Sequence, residues 1–165
     1  HYPFIRRRIF PPRRILSVVQ AQPDRPVPAT EFGHMPQPLD PAAVLETEEK
    51  LGVAFPGGFV ARMTLSNGGD LVIEGEEWSL HPFLDTSEAS QLERTGYDIV
   101  QGTVDAREWK VFPPGGVAIA SNGMGDELVF LPDPQRAGQL RPNVFMWSHE
   151  TGEVDEVATD FGELK

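Results

Sequence analysis

The stretch from Val117 to Ala158 constrains the fold more than any other part of the chain. VAIASNGMGDELVFLPDP reads as strand, turn, strand, and NVFMWSHETGEVDEVA reads as a second hairpin about Glu150-Thr151-Gly152-Glu153. Upstream, DLVIEGEEWSLHPF supplies another, with LVIE and EWSL strand-like on either side of Gly75. Helical signals stand before, between and after these hairpins. That order predicts a single α+β domain, a mostly antiparallel sheet with flanking helices.

The helices carry recognisable ends. In LDPAAVLETEEKLG, Asp40 is placed to cap and Pro41 to occupy the first helical position, where its missing N–H matters least. Gly52 ends this helix, Glu46, Glu48 and Glu49 form its exposed face, and Val44 and Leu51, with Leu45 beside them, form the buried one. FPGGFVARMTLSNGG predicts a second, shorter helix begun by Pro56, with Phe59 and Met63 one turn apart and Asn67-Gly68-Gly69 as its stop. In TSEASQLERTGYDIVQGTVDAREW the residues Ala89, Leu92, Ile99, Val100 and Val104 fall at helical spacings and predict a third helix, with Gly96 and Gly102 as weak points where it can break. TDFGELK begins a C-terminal helix, capped by Asp160 with Glu163 in the third position of a capping box.

Residues 1–34 stand apart. They are rich in Arg and Pro, show no sustained period, and carry six Arg against Asp24 and Glu31, a charge of +4. ILSVV is too short for the ~7–15-residue apolar core of a signal peptide. We read 1–34 as a disordered or non-native basic extension and 35–165 as the domain, with Met35 a natural initiator or the end of a cloning scar. Residues 35–165 carry 8 Lys and Arg against 23 Asp and Glu, or −15. A body of that charge does not bind nucleic acid by neutralising phosphates, but it can steer towards a basic partner. The absence of Cys removes disulfides, thiolate metal sites and Cys nucleophiles, and agrees with a reducing cytoplasm.

Motifs for chemistry are sparse. The chain contains no phosphate-binding loop of the G-x-x-x-x-G-K-[ST] form, no G-x-S-x-G elbow and no H-E-x-x-H. His81 and His149 lie far apart in sequence with no shared carboxylate in view, and the reading is of strand-edge histidines rather than a metal pair. His149 and Glu150 are neighbours on a strand, so they point to opposite faces and make a poor general base with its orienter. The acidic pairs Glu76/Glu77, Asp126/Glu127 and Asp155/Glu156 read as solvated. The loop in IASNGMGDELVF lacks the oxygen spacing of a calcium loop and opens onto a strand, whereas a phosphate cradle opens onto a helix. It reads as a turn: Asn122, Gly123 and Gly125 tolerate positive φ and Asp126 accepts backbone N–H groups. We therefore expect no cofactor, no metal and no catalytic residue.

The pattern as a whole resembles the SMI1/KNR4 family, also called the SUKH superfamily. The resemblance rests on VLETEEKLGVAFPGGFVARMTLSNGG, VAIASNGMGDELVFL, VFMWSHETGE and ATDFGEL, in that order, across roughly residues 40–165. It implies an α+β fold and, for bacterial members, an immunity protein that binds and blocks a cognate toxin, often a nuclease of a polymorphic or contact-dependent system. Fungal members act instead as interaction hubs in growth and cell-wall regulation. The residues matching the family's recurrent positions, Asn67, Gly68, Gly69, Gly125, Asp126 and Trp147, read as structural, as does Gly123 in the same turn. A nuclease cleft is basic, so an acidic surface through Glu74, Glu76, Glu77, Asp126 and Glu127, with Trp78 as aromatic anchor, is the expected meeting place. The alternative function is a small carboxylate-based hydrolase or sugar-binding protein, which requires a concave pocket with convergent acids.

Overall fold

The computed structural model describes residues 38–164; the basic extension 1–34 lies outside them. Six strands form one antiparallel meander in the order β1-β2-β3-β4-β5-β6: β1 Asp70–Ile73, β2 Glu76–Leu80, β3 Val117–Ser121, β4 Glu127–Phe130, β5 Val144–Trp147 and β6 Val154–Ala158. Helices α1 (Pro41–Leu51) and α2 (Gly57–Leu65) precede the sheet, and α3 (Ala89–Arg94) and α4 (Ile99–Arg107) lie between β2 and β3. A 3₁₀ turn, Phe161–Glu163, follows β6. The α+β fold with its antiparallel sheet is as the element order implied. Among the described residues no helix is long and apolar enough to cross a membrane.

The unbroken apolar runs VAIA, LVF and VFMW are explained by burial on both faces of the sheet, where a half-exposed strand would alternate. Ile119, Leu128, Phe130, Val144 and Met146 point into the larger core, with Phe59 and Met63 of α2 and Val44 of α1. Their neighbours Ala118, Val129, Phe145 and Trp147 point the other way, into a second core closed by Ala106 of α4 and Phe112. That second layer stops short of the sheet's edge. On β1 and β2, Leu71 and Trp78 are buried while Val72, Glu77 and Ser79 are exposed, the alternation of a strand pair with one face in water.

The predicted helix ends hold at α1. The Asp40 carboxylate accepts from Ala42 N at 3.0 Å, and Gly52 closes the helix at a φ of 67°. Its buried face is Ala43, Val44 and Thr47; Leu45 is 68% exposed, one position round the helix from where we expected it. The helix predicted after β2, with a break allowed near Gly96 or Gly102, is two helices, and the break falls beside Gly96. Thr95 turns its hydroxyl back to Gln91 O at 2.7 Å and accepts from Asp85 N at 2.9 Å, which ends α3. Asp98 then caps α4 by accepting from Gln101 N at 2.9 Å. The face α4 buries is Ile99, Gly102, Thr103 and Ala106, so Val104 is exposed despite its helical spacing, and α3 buries none of its residues, so Leu92 is exposed too. At the C-terminus the helix is 3₁₀: Asp160 accepts from Gly162 N at 2.8 Å, and Glu163 closes on Thr159 rather than on Asp160.

Candidate interaction surface at the hairpin end of the sheet

In a meander, alternate connections lie at the same end. The β1–β2 turn (74–75), the β3–β4 turn (122–126) and the β5–β6 turn (148–153) therefore share one edge of the molecule. Most of the acids singled out from sequence come together there. Glu74 and Gly75 make a two-residue turn with φ of 51° and 83°, the positive φ pair that fits the twist of a hairpin. Glu74 and Glu77 are exposed. Glu76 is tied down: Asn122 Nδ2 donates to its Oε1 at 3.0 Å and to Asp126 Oδ2 at 3.3 Å. Asp126 Oδ1 in turn accepts from the His149 backbone N–H at 3.1 Å and lies 2.8 Å from His149 Nδ1. One chain of side-chain bonds, Glu76–Asn122–Asp126–His149, thus links all three hairpins.

The two histidines have carboxylate partners after all, and the partners are sequence neighbours. Asp126 holds His149, and Glu127 Oε2 lies 3.0 Å from His81 Nε2. A glycine makes room for each ring. A Cβ on Gly125, which also has a φ of 102°, would stand 2.8 Å from His149 Nδ1; a Cβ on Gly102 would stand 2.8 Å from His81 Cδ2. Gly102, which looked like a flaw in a helix, is where α4 lies directly on the His81 ring. Gly102→Ala tests this. Helix propensity favours Ala by ~1 kcal/mol, but overpacking a buried ring costs ~1–3 kcal/mol. We expect a net loss of about 1 kcal/mol in a denaturant melt; a stabilised variant would show that the ring is free to move aside.

Sequence reasoning missed these pairs because they depend on register. Glu127 sits opposite Trp147 and Ser121 opposite Ser79, and only that alignment carries His149 to Asp126 and His81 to Glu127. The burial of Glu127 raises its pKa; the His81 hydrogen bond and charge act against that, while Asp105 and Asp126 add to it.

Two predicted contact residues are not at the surface. Trp78 is 1% exposed, with its ring in the larger core. The side chain of Glu127 is 13% exposed and engaged with His81. The expectation that they meet a partner is corrected accordingly: both are turned inward by the pairing of β2, β3 and β4. The aromatic that does reach this edge is Trp109, just beyond α4, at 50% exposure. Its ring stands edge-on to Trp147 at 6.4 Å and His149 at 5.4 Å. Trp147 itself is buried and donates from Nε1 to Val111 O at 3.2 Å, fixing the 108–112 segment to the β5–β6 hairpin. Between them lies an open depression of about 570 Å³, lined by Glu108, Trp109, Lys110, Val111, His149 and Glu150. Met124, at the tip of the β3–β4 turn, is also exposed. No sequence signal separates Trp109 from Trp78: each is a tryptophan after a glutamate, and only the packing decides, with Trp78 covered in the larger core and Trp109 left at the rim of the second.

No group of three or more His, Asp or Glu arranged to hold a metal occurs among the described residues. The edge offers exposed carboxylates, two of them, Glu108 and Glu150, beside the half-exposed Trp109.

The family model described as SMI1 / KNR4 family (SUKH-1) matches residues 38–164. A search of curated proteins found no match to the chain. The family match spans the whole of the described fold, and the chain belongs to the SMI1/KNR4 (SUKH-1) family, which is known for immunity proteins.

Proposed function

We propose that this SUKH-1 protein is a non-catalytic binding module of the immunity type, which neutralises a cognate bacterial toxin in the cytoplasm by covering its toxin domain. The partner we propose is a basic, nuclease-like domain of a polymorphic or contact-dependent toxin. The observation that carries this reading is the hairpin end of the sheet, where exposed Glu108 and Glu150 line a depression with the half-exposed Trp109 and exposed Glu74, Glu77 and Glu153 lie on hairpins of the same end. Aromatic anchors supply affinity in a protein interface, and a surrounding field of one sign speeds encounter with a partner of the other. In this reading residues 35–165 are the working domain and 1–34 an extension to it.

The hydrolase alternative would draw on Glu127, whose proton affinity is raised by burial. That carboxylate is closed off by His81 beneath α4, so it does not meet the depression beside Trp109, and the binding reading is favoured.

The test is co-expression with the toxin encoded beside this protein's gene. Growth should be rescued, and affinity for the isolated toxin domain should fall by about tenfold or more between low and ~0.15 M salt, as exposed charges are screened. Failure of rescue would reject the immunity reading. Rescue with salt-independent binding would reject the electrostatic part of it.

A further inference from the structure

Resting on that reading, we propose that the depression beside Trp109 is a socket for a cationic, arginine-bearing segment of the partner protein. Three observations converge. The first is the ring. Trp109 is half exposed, yet its ring is held in T-shaped contacts with Trp147 and His149, so its exposed half is presented without having to be ordered on binding. Arginine guanidinium groups stack on tryptophan more favourably than on other side chains.

The second is charge. Glu108 and Glu150, both exposed, stand among the lining residues against Lys110 alone. The wider edge adds Glu74, Glu77 and Glu153. Asp126 already holds His149 and is not needed for the incoming cation. A guanidinium resting on Trp109 would have a carboxylate of the 108–112 segment and one of the β5–β6 turn within the same depression, in an arrangement that accepts its N–H donors.

The third is rigidity and size. Trp147 Nε1 bonds Val111 O, and Val111 lies against Gly152, where a Cβ would come within 2.9 Å of it. The walls of the socket are therefore fixed to one another, around an open depression of about 570 Å³ that leaves room for one extended side chain. The occupant this fits is a basic protein segment. An anionic ligand or a nucleic acid backbone would meet carboxylates there.

The socket can be tested without the toxin. The full chain is titrated into labelled nona-arginine and nona-lysine peptides at ~0.15 M salt and followed by fluorescence anisotropy. Trp109→Ala should weaken nona-arginine binding at least about fivefold and nona-lysine binding less, since the planar guanidinium gains more from the ring. Glu108→Gln with Glu150→Gln should weaken both peptides. Glu46→Gln with Glu49→Gln, which removes the same charge from the exposed face of α1, should change either peptide less than about twofold. Trp109→Ala also loses ring contacts, so the Glu108/Glu150 double variant serves as the second probe of the same socket. Equal losses at the socket and on α1 would overturn the proposal in favour of diffuse attraction. So would unchanged arginine binding in both socket variants. Because no toxin is involved, failed rescue with a working socket would reject the immunity reading alone, and rescue with no socket effect would reject the socket alone.

Discussion

Asn67→Ala is expected to lower the unfolding free energy by about 3 kcal/mol, a fall in Tm of roughly 10 °C for a domain of this size. Asn67 is buried directly after α2 and uses both ends of its amide on one residue of the chain that leaves β2. Its Nδ2 donates to Phe83 O at 2.9 Å, and Phe83 N donates to its Oδ1 at 2.8 Å. Truncation leaves a buried N–H and a buried C=O without partners, each worth ~1–3 kcal/mol. Phe83 is also the ring that meets Phe55 and Phe59 edge-on or tilted in the larger core, so loosening its backbone loosens the aromatic cluster. Asn67→Asp should be equally harmful: its carboxylate keeps the acceptor but turns an oxygen on the Phe83 carbonyl. Thermal melts of both variants decide the matter. A Tm within a few degrees of wild type for Asn67→Ala would show that water reaches Phe83 and that the clamp is dispensable.

This clamp explains what the Asn-Gly-Gly stop is for. The helix stop is visible in the sequence, though α2 already ends at Leu65 with Ser66 extended, ahead of the two glycines, and the asparagine's work lies sixteen residues away. The contrast runs through the whole molecule. Features written locally were legible: Asp40 and Gly52 at the ends of α1, Gly75 in its hairpin, and the apolar runs of β3, β4 and β5. Those signals are short-range, because caps and turns are set by backbone conformation within a few residues. Features that depend on a second element were not. Leu45 and Val104 are apolar and correctly spaced for burial, but whether a helix position is covered depends on which neighbour lies against it, and these face solvent. Trp78, expected at the surface, is covered in the larger core for the same reason, while Trp109, which no local signal singles out, is left exposed at the rim of the second core. The acidic turns of the candidate site were legible one by one, as strand-end loops, but their gathering at one end follows from the meander order, which no local signal states. The site's inner wiring was not legible either, since the partners of His81 and His149 follow from a register that composition and periodicity do not encode.

The wiring ranks stability against binding at Asp126, the acid that closes the β3–β4 turn. Asp126→Ala should destabilise the domain by about 2 kcal/mol, because it removes the acceptor for His149 N, for His149 Nδ1 and for Asn122 Nδ2 together. The loss stays below that at Asn67, since Asp126 and His149 are only partly buried and water can take up some of the freed donors. Asp126→Asn separates geometry from charge. One amide oxygen can still accept from the His149 backbone, so a denaturant midpoint nearer to wild type than that of Asp126→Ala is expected, while the carboxylate is gone. If Asp126 acts by holding the three hairpins together, the Asn variant should bind a basic partner within about twofold of wild type at ~0.15 M salt, where a single distant charge is largely screened. A variant that melts like wild type but binds tenfold more weakly would instead make Asp126 a direct contact. In that case the partner would have to displace His149 to reach it, and the depression beside Trp109, whose ring leans on that histidine, would change shape in the complex.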